Sequence, residues 1–162
     1  MLGDPVATDS HKLPQFPDSG QTGCLGGVQD VCKMKIRIVT PAPAYSRAGN
    51  RVTALRWARV LKGLGHTVTI EGEFVKGTCD MMVALHARRS HPSIRRFHDR
   101  FPDGPLVLAL TGTDLYGDIK SDRDAQESLE LATSLVVLQS GGMNELSARH
   151  RRKTKVIHQS FT

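Results

Sequence analysis

Between residues 34 and 159 short apolar runs alternate with amphipathic stretches, and this alternation predicts the fold. The clearest run is LVLAL at 106–110, which has no polar alternation. A strand of that kind is buried on both faces, as in a parallel sheet covered by helices. Further strands are predicted at 35–40, 67–71, 80–86, 134–139 and 155–159. Between them lie helical periods. Asn50 is a good cap for a helix over 51–64, with Val52, Leu55, Ala58, Leu61 and Leu64 on one face and Gly65 as its stop. Pro92 suits the first turn of a helix reaching about residue 100. Ser121 and Asp124 resemble a capping box for a helix to about residue 133, and a last helix is expected over 143–150. Strands joined by crossover helices make a parallel sheet with right-handed connections. The expectation is a Rossmann-like α/β domain with helices on both faces, without any solenoid repeat.

Composition narrows the classes of function. The 162 residues are 39% hydrophobic, enough for one domain with a real core, and no stretch approaches the roughly 20 apolar residues of a membrane span. The formal net charge of +6 favours an anionic partner. Cys24, Cys32 and Cys79 form an odd set without C-x-x-C spacing, which suggests neither a disulfide framework nor a zinc site. No metal and no cofactor is expected, and a reducing cytoplasm fits. Residues 1–33 carry Pro5, Pro14 and Pro17 with scattered Gly, Ser and Asp and no apolar period, so a disordered extension is expected there. It lacks the basic and apolar regions of a secretory signal. Met34 then opens MKIRIVTPAP, a form typical of an amino terminus leading into a buried strand.

Candidate chemistry lies in the loops that follow the strands, since a sheet of this kind presents all its carboxyl ends on one rim. After residue 110 the chain turns abruptly polar with Thr111, Gly112, Thr113 and Asp114. This is either a ligand-holding loop or a plain connection in which Asp114 caps a turn. The first loop, PAPAYSRAGN at 41–50, lacks G-x-G-x-x-G, and no G-x-x-x-x-G-K-[ST] occurs anywhere, which disfavours a nicotinamide cofactor and a P-loop NTPase. It does set Arg47, Asn50 and Arg51 at a helix amino terminus, where free N–H groups favour an anion. The loop HARRSHP at 86–92 leaves a second buried strand on the same rim. There Arg88 and Arg89 are suited to bidentate contacts with phosphate oxygens, and His86 to a sugar hydroxyl or to proton transfer near neutral pH. Arg95, Arg96 and Arg100 read as a solvated helix face. The basic run HRRKTK at 150–155 has no interleaved aromatics in a chain with 5% aromatic residues, so nucleic acid is not expected as a partner.

An ordered set of these segments supports a resemblance. DMMVALHA at 80–87, LVLALTGTDL at 106–115, ATSLVVLQSGGMNEL at 132–146 and TKVIHQS at 154–160 follow in order the amino-terminal half of retaining GT-B glycosyltransferases related to glycogen and sucrose-phosphate synthases. MKIRIVTPAP, GNRVTALRWARVL and ALHARRSHPSIRRFH more closely resemble the selenosugar synthases of selenoneine biosynthesis. The resemblance spans residues 34–162 and departs from the superfamily at two turns. The usual Gly-Gly turn of the first loop is replaced by residues 46–51, and the histidine of the His-Gly-Thr-Asp turn is Thr111.

The resemblance implies an acceptor-side domain of a metal-independent transferase that moves a sugar from a UDP-sugar, UDP-N-acetylglucosamine or UDP-glucose, to selenophosphate. Arg88 and Arg89, with Arg47, Asn50 and Arg51, would bind the acceptor's phosphate. Thr111, Gly112, Thr113 and Asp114 would shape the sugar side of the cleft, and His86 would orient the donor; His86 and Asp114 are the candidate catalytic groups. The donor would be held by a carboxyl-terminal domain expected beyond residue 162, and without it the chain is expected to show little turnover. The alternatives are a sugar-to-sugar or sugar-to-lipid transferase and a non-catalytic anion-binding module.

Overall fold

The computed structural model describes residues 32–159; the expectation of disorder over 1–33 and the position of Cys24 fall almost wholly outside them. Six strands, β1 (Lys35–Val39), β2 (Thr67–Glu71), β3 (Met81–Leu85), β4 (Leu106–Leu110), β5 (Ser134–Val137) and β6 (Thr154–Val156), form one parallel sheet in the order β2-β1-β3-β4-β5-β6. The helices are α1 (Gly49–Gly63), α2 (His91–Arg100), α3 (Arg123–Leu131) and α4 (Ala148–Arg151). The expected Rossmann-like α/β arrangement is therefore present. The order reverses between β1 and β3, and at such a switch point the loops leaving the two strands part and open a crevice.

Side chains alternate across the sheet and feed two cores. On one face Met82, Ala84, Leu106, Leu108, Leu110, Leu135 and Val137 meet Ile94 and Phe97 of α2 and Ala125 and Leu129 of α3. On the other, Ile36, Ile38, Val83, Leu85, Ala109 and Val136 meet Ala54 and Ala58 of α1, with Trp57 and Leu61 packed beside them. The unbroken apolar run of β4 follows from this double burial, since Leu108 and Ala109 are both fully enclosed.

Several local expectations give way to tertiary packing. Helix α1 begins one residue earlier than Asn50, with Ala48 in the cap position and no side chain capping it. Its buried stripe is Thr53, Ala54 and Ala58, whereas Val52, Leu55 and Leu64 lie about half exposed. Small side chains let the helix axis approach the sheet, so they take the inward positions from the larger ones. Helix α3 is capped by Asp122, whose carboxylate accepts from the Ala125 N–H at 2.8 Å, in place of Ser121. The helix expected over 143–150 is a 3₁₀ segment, Ser140–Glu145, followed by the single turn of α4. The reason lies at Gly142, where a Cβ would stand 2.8 Å from Leu115 and 3.1 Å from Val137. The chain is pressed against β5 there and cannot take the wider α-helical course. The last strand runs over Thr154–Val156, three residues instead of the expected five. Among the described residues no helix is long and apolar enough to cross a membrane.

Candidate functional site

The loops leaving β3 and β4 are joined by one buried side chain. Asp114 is fully enclosed. Its Oδ1 accepts from the backbone N–H groups of Thr111 and Gly112 at 3.0 and 3.1 Å, and its Oδ2 accepts from Ala87 at 2.9 Å. Asp114 opens one turn of π-helix, Asp114–Asp118, where the sequence suggests only a polar loop. Both oxygens accept from the backbone, so this carboxylate positions the two loops. Ser90 and Ser128 complete the brace. The Ser90 hydroxyl donates to the Leu85 carbonyl at 2.7 Å, and the Ser128 hydroxyl reaches across from α3 to the Ala87 carbonyl at 2.8 Å.

His86 is held inside this brace. It is buried, and its φ of +79° lies in the left-handed region, where among the described residues every other member is glycine. Histidine tolerates that region better than most residues, yet the conformation still costs on the order of 1–3 kcal/mol and persists only where its surroundings over-determine it. The ring is fixed at both nitrogens: the Arg89 N–H stands 3.4 Å from Nδ1, and Nε2 lies 3.3 Å from the Thr113 hydroxyl. With Nδ1 accepting, the neutral ring carries its proton on Nε2 and donates to Thr113. The backbone strain has a direct test. His86→Ala and His86→Gly lose the same ring contacts, but only alanine keeps the penalty, so the glycine variant is expected to be more stable by about 1 kcal/mol in urea denaturation. Equal stabilities would remove the strain from the argument.

The other expected residues divide. Arg88 and Arg89 are exposed on the turn that His86 begins, and Arg47 is exposed on the neighbouring loop after β1. Asn50 and Arg51 lie in the first turn of α1 and are partly buried, and the Arg51 Nε is enclosed without a hydrogen-bond partner among the described residues. Parallel topology brings all of these to one rim at the switch point. His91, by contrast, faces away from it, with Nε2 3.2 Å from Glu127 of α3. Arg95 and Arg96 are exposed on α2, as expected of a solvated face, and pair there with Glu127 at 2.6 Å and Glu73 at 2.5 Å.

Residues absent from the sequence reading line a cleft of ≈ 390 Å³ beside the brace. Tyr116, Gln139, His158 and Gln159 surround it together with Thr111 and Gly112, over a floor of leucines. Gly112 has φ +123° and its missing Cβ would meet open space, so glycine is required here by conformation and not by crowding. Gln139 and Gln159 did carry a signal. Each follows an apolar run closely, as Thr111 does.

No protein-family model matches the sequence, and no curated protein matches it at a significant level. Among the described residues no cluster of three or more His, Cys, Asp or Glu side chains is arranged to hold a metal ion.

Proposed function

We propose that this chain is the acceptor-side domain of a GT-B glycosyltransferase that moves a sugar from a UDP-sugar to selenophosphate, giving a selenosugar. The observation that carries the proposal is the pair of exposed guanidinium groups, Arg88 and Arg89, on a turn whose backbone is fixed by buried bonds to Asp114, Ser90 and Ser128. Two arginines on a rigid turn can hold a tetrahedral anion by paired N–H···O bonds with little ordering cost. Arg47 and Arg51, on the adjacent loop and helix turn, add positive potential on the same side. In this scheme the phosphate of the acceptor rests on the arginines and its selenium attacks the anomeric carbon. The bond to UDP breaks as the carbon–selenium bond forms, and UDP leaves with the electron pair; water then cleaves the phosphorus–selenium bond, releasing phosphate and the selenosugar. In this reading the nucleotide is held by a second domain, and rate comes from holding both substrates at the anomeric carbon. The selenium acceptor and the UDP-sugar rest on the sequence resemblance; the anion site rests on the geometry.

Calorimetric titration of the 162-residue chain with selenophosphate, phosphate, UDP and a UDP-sugar tests this. The expected result is saturable selenophosphate binding, at least tenfold weaker in Arg88→Ala and Arg89→Ala, with no response to UDP. Absence of selenophosphate binding, or binding indifferent to both substitutions, defeats the assignment. The order β2-β1-β3-β4-β5 is also that of flavodoxin-like domains, which favours as second reading a non-catalytic anion-binding module. Phosphate and selenophosphate binding equally would support that second reading.

A further inference from the structure

Helix α1 carries an outer surface that neither core uses. Its sequence, GNRVTALRWARVLKG, contains Arg51, Arg56, Arg59 and Lys62 and no acidic residue. Ala54 and Ala58 face the sheet with Trp57 and Leu61 packed beside them, yet Val52, Leu55, Val60 and Leu64 stand outside both cores at 46–57% exposure. Val52, Val60 and Leu64 share one i, i+4 row with Arg56. A surface helix ordinarily turns such a row inward, and large aliphatics grouped on an outer face mark a contact surface. Val60 also walls a groove of ≈ 380 Å³ between α1 and the segment after β6, together with Trp57, Leu61 and Ile157. The polar lining of the groove is Arg56, His158 and Gln159, again without a carboxylate. Arg59 and Lys62 are exposed and make no ion pair among the described residues.

Charge decides among the occupants such a face could take. A second copy would set this cation-only helix against itself, and like charges brought together oppose association. A bilayer takes helices whose apolar and basic residues lie on separate faces. Here Arg56 stands between Val52 and Val60 in the apolar row, so insertion would draw a guanidinium toward the acyl chains, and the apolar walls line a recess instead of a protruding stripe. An acidic amphipathic segment meets both conditions. Its bulky apolar side chains enter the groove against the Trp57 indole while its carboxylates face Arg59 and Lys62. We infer that the outer face of α1 is a docking surface for an acidic amphipathic helix of a partner protein. Opposite charge guides the encounter, and apolar burial in the groove holds the complex. This surface uses neither Arg88 nor Arg89, so it can be lost with the anion site of the proposed transferase intact.

The test is a selection of phage-displayed random peptides, each long enough for several helical turns and with tryptophan left out of the library, on the 162-residue chain. Enriched sequences are expected to carry net negative charge, with leucine or phenylalanine at i, i+3 and i+4 spacing. Trp57 is the only tryptophan of the chain, so its emission reports on the groove directly. A synthetic copy of the most enriched peptide is expected to shift that emission saturably to the blue. Binding is expected to weaken about tenfold or more in Val60→Asp and in the double variant Arg59→Glu/Lys62→Glu, which change exposed positions and should keep the circular dichroism of the parent. The proposal is overturned if the selection enriches nothing or enriches basic peptides, or if the chosen peptide leaves Trp57 unmoved or binds both variants as it binds the parent. Phosphatidylglycerol vesicles that shift Trp57 at least as strongly as the peptide would overturn it in favour of a membrane. A parent that sediments as a dimer, with both variants monomeric, would overturn it in favour of a second copy.

Discussion

Asp114→Ala is expected to destabilise the protein by about 3–5 kcal/mol, because it strands three backbone N–H groups at about 1–3 kcal/mol each, offset in part by water entering the space. The donors belong to Ala87, Thr111 and Gly112, on two loops that are also joined by the contact of His86 Nε2 with the Thr113 hydroxyl. A loss of that size is a large part of the stability of any single domain and lowers the melting temperature by roughly 10 °C or more. Asp114→Asn separates charge from geometry. Its carbonyl can still accept from Thr111 and Gly112, but its NH₂ then faces the Ala87 N–H, donor against donor, so an intermediate loss is expected. Urea denaturation of the three proteins reads both steps. A loss under about 1 kcal/mol for the alanine variant would mean that the loops are held by other contacts.

This brace marks the limit of what the sequence makes legible. A polar Thr-Gly-Thr-Asp turn after an apolar run announces itself, because the change of character is local. That Asp114 faces inward is not local: its Ala87 partner lies 27 residues away on another strand's loop. The strand at 106–110 stands where its apolar run ends, since burial on both faces of the sheet dictates that pattern, and the strand at 67–71 stands where expected as an alternating edge strand. Helix α1 shows the opposite case. Of the expected stripe, Ala58 is buried and Leu61 packs on the core, but Val52, Leu55 and Leu64 lie half exposed while Ala54 turns inward, because close approach to the sheet selects small side chains. The helix expected over 143–150 is shortened where Gly142 lies against Leu115 and Val137, a contact between segments distant along the chain. Tyr116 and Gln139 lie 23 residues apart and carry no charge to mark them, so that they meet across the cleft is set by the tertiary fold alone.

Phe97→Ala is expected to cost about 3–5 kcal/mol as well, by a different route, and the contrast tests whether the site is held apart from the core. Phe97 is 1% exposed and lies edge-on to Phe74, with ring centroids 5.6 Å apart, and tilted against Phe101 at 5.3 Å. Removing the ring leaves a cavity under α2 and breaks both aromatic pairs. Gly104, whose absent Cβ would stand 3.0 Å from the Phe97 ring, is already as small as a residue can be, so the cavity does not close from that side. Helix α2 begins directly after the His86 turn, yet that turn is tied to Asp114, Leu85 and Ser128 by bonds that do not pass through Phe97. The amide resonances of Ala87, Thr111 and Gly112 should therefore keep their positions in folded Phe97→Ala while those of α2 move. In Asp114→Asn the pattern should invert, with the loop amides displaced and α2 undisturbed. If Phe97→Ala displaces the loop amides as strongly as Asp114→Asn, the turn depends on the core beneath it. In that case the rigidity assigned to Arg88 and Arg89 comes from packing and not from the carboxylate.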